Sequence, residues 1–120
     1  MTSPDPDAAL NRRELARYVA RVSGRWPLDR ALLGGARVAD LHGAPQQRER
    51  GPEYVVVLVS DAFDGVPWLE RYVAGNLWDA DEMGARADMH CYTPAELERR
   101  VQRLRPVREA IAGGLDLLTA

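Results

Sequence analysis

The stretch GPEYVVVLVSDAFDG, residues 51–65, decides the fold. Gly51-Pro52 is a turn pair, and Tyr54–Val59 is an unbroken apolar run rich in β-branched residues. A half-exposed strand would alternate apolar and polar positions, and an amphipathic helix would interrupt the run every few residues. Tyr54–Val59 does neither, so it reads as a strand buried on both faces. One carboxylate, Glu53, stands at its entrance, and Asp61 and Asp64 stand at its exit. Acids at the ends of a buried strand suit a metal site. They equally suit ordinary polar strand ends.

The flanking sequence supplies the helices such a strand needs. Leu15, Tyr18, Val19 and Val22 recur at helical spacing over 8–23, with Asn11 and Glu14 as a capping pair and Gly24 as the stop. PLDRALLGG implies a strand over 28–33 and a tight turn at Gly34-Gly35, followed by a short helix over 36–41. HGAPQQRERGP, residues 42–52, is loop by composition. After the central strand, Pro67 opens a helix predicted over 66–78. On it Val66, Leu69, Val73 and Leu77 share the face expected to meet the sheet, and Trp68 and Tyr72 point away, either to anchor an interface or to pack under the flanking loops. DADEMGARA, residues 79–87, reads as loop, and ADMHCY, residues 87–92, as a strand. TPAELERR, from Thr93, is a capping box with proline in the first turn, and Leu97, Val101 and Leu104 form its buried stripe. Pro106 ends that helix, PVREAIAGG forms another, and LDLL reads as a last strand. The alternation implies the α/β (α+β) class, with a mixed central sheet flanked by helices.

Composition bounds the function classes. A chain of 120 residues is the size of one domain. Residues 1–7, with two prolines and two aspartates, are expected to be disordered, leaving 8–120 as a single domain. A formal net charge of −2 argues against a non-specific nucleic-acid or membrane binder. All basic residues are arginine, so every cation is planar and capable of bidentate contacts. A lone cysteine, Cys91, excludes an internal disulfide and a cysteine-cluster metal site. No signal-peptide pattern and no membrane-length apolar run is found, which points to the cytoplasm.

The segments LLGGARV, PEYVVVLVS, ADMHCYTPAEL and VREAIAGGLDLL together resemble the minimal nucleotidyltransferase family, small members of the DNA polymerase β-like superfamily. The likeness covers roughly residues 10–118, and YTPAEL and REAIAGG carry it best. In that family a strand ends in Gly-Ser, a second strand carries Asp-x-Asp, and a third adds a carboxylate before Tyr-Thr-Pro-x-Glu. The resemblance implies a nucleotidyltransferase-like sheet, with Gly34 and Gly35 at the nucleotide-binding turn, and Glu53 and Asp88 at catalytic positions. The departures fall at the chemistry. Gly35 replaces the serine, Glu53 the first aspartate and Val55 the second, and the loop before Glu53 is longer than the family's.

Nucleotidyl transfer needs divalent ions that clamp the attacking and leaving oxygens. Carboxylates at i and i+2 suit this because both point to one face of a strand. Glu53 lacks that neighbour, and Asp61 lies eight residues on, about 26 Å of extended chain away. The remaining candidate is a mixed set of Glu53, Asp88 and His90, which would favour a transition metal over Mg²⁺. The alternative for each is structural: a solvated strand end and a partly buried histidine. Three functions stay open. The preferred one is a catalytically degenerate domain acting as a binding or protein-interaction module, with Trp68 and Tyr72 at the interface to a protein partner or a second copy. The family's pairing with helical companions in toxin–antitoxin modules adds an antitoxin-like variant of that reading. The others are an active enzyme moving a nucleoside monophosphate from a nucleotide to a protein or small molecule, using Mg²⁺ or another divalent metal, and a small oligomeric α/β protein that binds no nucleotide.

Overall fold

The computed structural model describes residues 10–41, 51–100 and 103–118, the Arg100 side chain excepted. The expectations for residues 1–7, for most of the 42–52 loop and for Val101 lie outside the described residues. The chain runs α1 (Arg12–Ser23), β1 (Arg30–Gly34), α2 (Ala36–Leu41), β2 (Tyr54–Val59), a 3₁₀ turn (Asp61–Phe63), α3 (Trp68–Arg71), α4 (Val73–Asn76) and α5 (Ala80–Met83). It continues through β3 (Ala87–Tyr92), α6 (Pro94–Arg100), α7 (Arg105–Gly113) and β4 (Leu115–Asp116). The four strands form one mixed sheet in the order β3-β2-β1-β4, with β2–β3 parallel and the other two pairs antiparallel. A parallel pair cannot be joined by a hairpin, so residues 60–86 cross over the sheet to bring β3 beside β2.

All six residues of β2 are buried, and they feed two separate apolar layers. Tyr54, Val56 and Leu58 join Leu33, Met89 and Cys91 beneath Leu15, Tyr18 and Val22 of α1 and Ala74, Trp78 and Met83 of the crossover. Val55, Val57 and Val59 join Leu32 and Tyr92 beneath Leu97 of α6 and Val107 and Ala110 of α7. Each fully buried valine contributes about 1.5–3 kcal/mol, so the strand anchors both layers. The architecture is the expected mixed sheet with helices on its faces.

Local sequence sets the element ends. The Thr93–Glu96 box is fully formed: the Glu96 amide donates to Thr93 Oγ1 at 3.2 Å, and the Thr93 amide donates to Glu96 Oε1 at 2.8 Å. At α1 only half of the box forms. The Glu14 amide donates to Asn11 Oδ1 at 3.1 Å, while the buried Glu14 carboxylate turns to Arg21. The stretch 79–87 is not all loop, because Asp79 caps the helical turn α5 and Gly84, at φ 84°, closes it.

The predicted helix over 66–78 is the main departure. It breaks at Tyr72 into α3 and α4, and its buried face is not the expected one. Leu69, read as facing the sheet, is 82% exposed, whereas Arg71 is 4% exposed. Trp68 and Tyr72 are 40% and 50% exposed. The cause is the Arg71 side chain, whose hydrogen bonds into the layer outweigh the apolar periodicity.

The turn at 34–35 explains both glycines by space. A Cβ on Gly34 would meet Ala110 Cβ at 2.9 Å, so this glycine lets α7 lie directly on β1. Gly35 sits at φ +105°, and a Cβ there would come within 2.7 Å of Glu53 O and Tyr54 Cα. Gly65 also has positive φ, at +75°, but open space around it. Gly35→Ala should therefore destabilise by about 3 kcal/mol or more, strain and clash adding, against about 1 kcal/mol for Gly65→Ala. Urea unfolding of the two variants checks this, and equal losses would refute it.

Candidate functional site

The residues singled out for metal and nucleotide chemistry fall on two sides of the sheet. Asp88 and His90 stand in register with Val55 and Val57, on the face covered by α6 and α7. Asp88 is exposed and His90 half-buried, its Nδ1 3.4 Å from the Tyr92 hydroxyl. Burial holds the His90 pKa below the ordinary imidazole value, against a smaller opposing effect of Asp88. Glu53 is drawn elsewhere. Its Oε2 accepts from Arg37 Nε at 2.8 Å, and the Arg37 guanidinium lies 5.4 Å from the centre of the Tyr54 ring, which belongs to the opposite layer. Arg37 also donates to Met83 O and Gly84 O. Its pKa is raised, chiefly by the hydrogen bond to Glu53.

Among the described residues no group of three or more His, Cys, Asp or Glu side chains is placed to hold a metal ion. Glu53, Asp88 and His90 thus do not make a three-ligand set. Asp88 and His90 share a face, and Glu53 works as the acid partner that ties α2 and α5 to the start of β2. Val55, at the place of a second strand acid, is 2% exposed within the apolar layer under α7. A carboxylate there would be desolvated without a partner, at a cost of several kcal/mol.

The turn at Gly34-Gly35 has its neighbouring donors engaged. The Ala36 amide donates to Pro52 O at 2.9 Å and the Arg37 amide to Glu53 O at 3.2 Å. These are the first amides of α2, the groups that a phosphate would need. They instead bond the start of β2 to the end of β1. Cys91 is buried on the side away from Asp88 and His90, and burial pushes its thiol pKa up to about 12, so it is a packing residue.

The residue that sequence reasoning missed is Arg71. Its guanidinium is enclosed by five acceptor contacts. Nε donates to Val66 O at 2.9 Å, Nη1 to Cys91 O at 3.1 Å and Glu96 Oε1 at 2.7 Å, and Nη2 to Phe63 O at 2.8 Å and Glu96 Oε2 at 3.3 Å. Such a fork suits arginine and not lysine. Burial disfavours the Glu96 carboxylate, but the Arg71 and Thr93 hydrogen bonds outweigh that and hold its pKa below the ordinary range. The only sequence signal was an arginine inside a helical pattern, a position normally solvated.

Arg71 builds a surface as well as a joint. Its guanidinium carbon lies 4.2 Å from the centre of the Trp68 ring, a cation–π distance. The other edge of that indole meets Tyr92, at 5.9 Å between ring centres and 76° between planes. Trp68 is held on two sides yet stays 40% exposed, beside Leu69 at 82% and Tyr72 at 50%. Three large apolar side chains within five residues are thus exposed together, the indole among them held in place by Arg71 and Tyr92.

Replacing Arg71 with methionine should destabilise the fold by about 3 kcal/mol, because Glu96 is left without its partner. Urea unfolding measures the loss, and an unchanged midpoint would contradict the clamp. The Glu96 linkage has a definite sign. A carboxyl held below its ordinary pKa stabilises the fold above the unfolded value, and that stability is lost as pH falls through the folded value. Glu96→Gln should therefore flatten the acid limb of the stability–pH profile, read by thermal unfolding over a pH series. Among the described residues no helix is long and apolar enough to cross a membrane. Comparison with protein-family models, with curated proteins and with solved structures finds no match to this chain.

Proposed function

We propose that this chain is a nucleotidyltransferase-like domain without the family's catalytic set, working as a protein-interaction module in the cytoplasm. The observation that carries the reading is the joint exposure of Trp68, Leu69 and Tyr72, with the Trp68 indole held against the buried Arg71. Contiguous exposed apolar side chains mark interaction surfaces, and aromatic residues dominate their binding energy. An indole already held in place loses little conformational freedom on docking, which favours affinity. The enzymatic alternative, with Glu53 and Asp88 on one divalent ion, has less support. Glu53 is paired with Arg37, and the amides after Gly35 are engaged by the chain itself.

Two measurements test the reading. A photo-crosslinking residue in place of Leu69 should yield protein adducts on illumination of the producing cells, and the same residue at exposed Ala39 should not. Adding Trp68→Ala should reduce the adducts at position 69. Equal yields at both positions would overturn the interaction reading. Millimolar ATP with Mg²⁺ should leave the thermal unfolding midpoint unchanged. An upward shift that disappears in Glu53→Gln would establish the enzyme reading in its place.

A further inference from the structure

β3 ends the sheet, with β2 on one side and no strand on the other. Which of its backbone groups face outward follows from one bond. The Ser60 amide donates to Tyr92 O at 3.0 Å, so Tyr92 turns its backbone groups toward β2. These groups alternate along a strand, so Asp88 and His90 also bond β2, while Ala87, Met89 and Cys91 turn theirs outward. Cys91 O accordingly accepts from Arg71 Nη1 at 3.1 Å. Among the described residues nothing bonds the outward N–H and C=O groups of Ala87 and Met89. An open edge of this kind is a template for a further strand.

Three features shorten that template. Before β3 the chain turns at Gly84, at φ 84°, and Ala85 O is taken by Trp78 Nε1 at 3.0 Å. At the other end the Arg71 guanidinium occupies the place at Cys91 O where an incoming strand would put its own N–H, about 2.9 Å away. Arg71 is not free to swing aside. Val66 O, Phe63 O and both oxygens of Glu96 hold it, and the Trp68 ring stacks on it at 4.2 Å. Between these ends the exposed carboxylate of Asp88 stands on the remaining stretch, 87–89. Antiparallel pairing of two copies over 87–89 would set Ala87 against Met89 and Asp88 against Asp88. Like charges directly opposite one another disfavour such a pair.

We propose that Arg71 and Asp88 guard the free edge of β3 against the addition of a further strand. Arg71 thus has a second role beside its clamp on Glu96, and Asp88 has one that requires no metal. The guard is separate from whatever docks on Trp68, Leu69 and Tyr72. With both side chains replaced, the outward edge runs unobstructed from Ala87 to Cys91. Two copies can then pair antiparallel about Met89, with Ala87 opposite Cys91 and position 88 opposite His90. In that register the outward N–H and C=O groups of all three residues find partners.

Amide exchange followed by NMR tests the open edge. The amides of Ala87 and Met89 should exchange about tenfold or more faster than those of His90 and Tyr92, and equal protection along β3 would overturn the proposal. Sedimentation velocity then tests the guard. The double variant Arg71→Met, Asp88→Thr should form oligomers beyond any that the wild type forms at the same concentration, with the infrared signal of intermolecular strands. Adding Ala87→Pro should abolish them, because proline removes an outward N–H that β2 does not use. Circular dichroism verifies that each variant is folded. A folded double variant that sediments like the wild type overturns the guard, and so do oligomers that persist with Ala87→Pro. Asp88 is exposed, so Asp88→Thr alone should keep the fold and associate more than the wild type. If the double variant fails to fold, this single variant decides: association no greater than that of the wild type overturns the proposal.

Discussion

A strand with no polar face cannot lie at a surface, and every layer of this protein answers to that constraint. Tyr54–Val59 presents Tyr54, Val56 and Leu58 to one side and Val55, Val57 and Val59 to the other. Both sides must exclude water, so α1 and the crossover cover one and α6 and α7 the other. The cover reaches very close at Gly34, where a methyl group would already collide with Ala110. Val55, two residues after Glu53 on the strand, is enclosed by this same requirement. With valine there, that face of the strand offers no acid to a metal, and a carboxylate put in its place would lose its hydration inside an apolar layer.

The crossover poses the opposite problem, a buried charge. Arg71 leaves water and is stable there because three carbonyls and both oxygens of Glu96 replace its hydration. That exchange has directional consequences. To reach Phe63, Val66 and Cys91 the guanidinium must point inward, and the short helix around it then turns Leu69 outward. The exposed patch is thus a by-product of satisfying one cation. The same guanidinium holds the Trp68 indole and, through Glu96 and Cys91 O, the junction between β3 and α6.

The chemistry-bearing residue types are present but engaged in structure. Glu53 partners Arg37, the amides after Gly35 bond the start of β2, and Cys91 packs beneath the crossover. Asp88 and His90 remain adjacent on one face, without a third ligand among the described residues. The binding role proposed above draws instead on the surface, where Trp68, Leu69 and Tyr72 are exposed.

Much of the fold was legible in the linear chain, because it depends on patterns that act locally. The unbroken run 54–59 specified a doubly buried strand, and Thr93-Pro94 with Glu96 specified a helix start. Asp88 and His90 on one face, with Met89 and Cys91 on the other, followed from the two-residue period of a strand. Trp68 and Tyr72, read as pointing away from the sheet, are 40% and 50% exposed. What only tertiary structure decided was the partner of each charge. Neither the pairing of Glu53 with Arg37 nor that of Arg71 with Glu96 has a local signature, since the members lie 16 and 25 residues apart. Leu69 was misplaced for the same reason: periodicity ranks side chains by hydropathy, whereas a cation enclosed by five acceptor contacts outweighs one leucine. Electrostatic pairing is settled by what the fold brings within a few ångströms, and a sequence states only which charges are available.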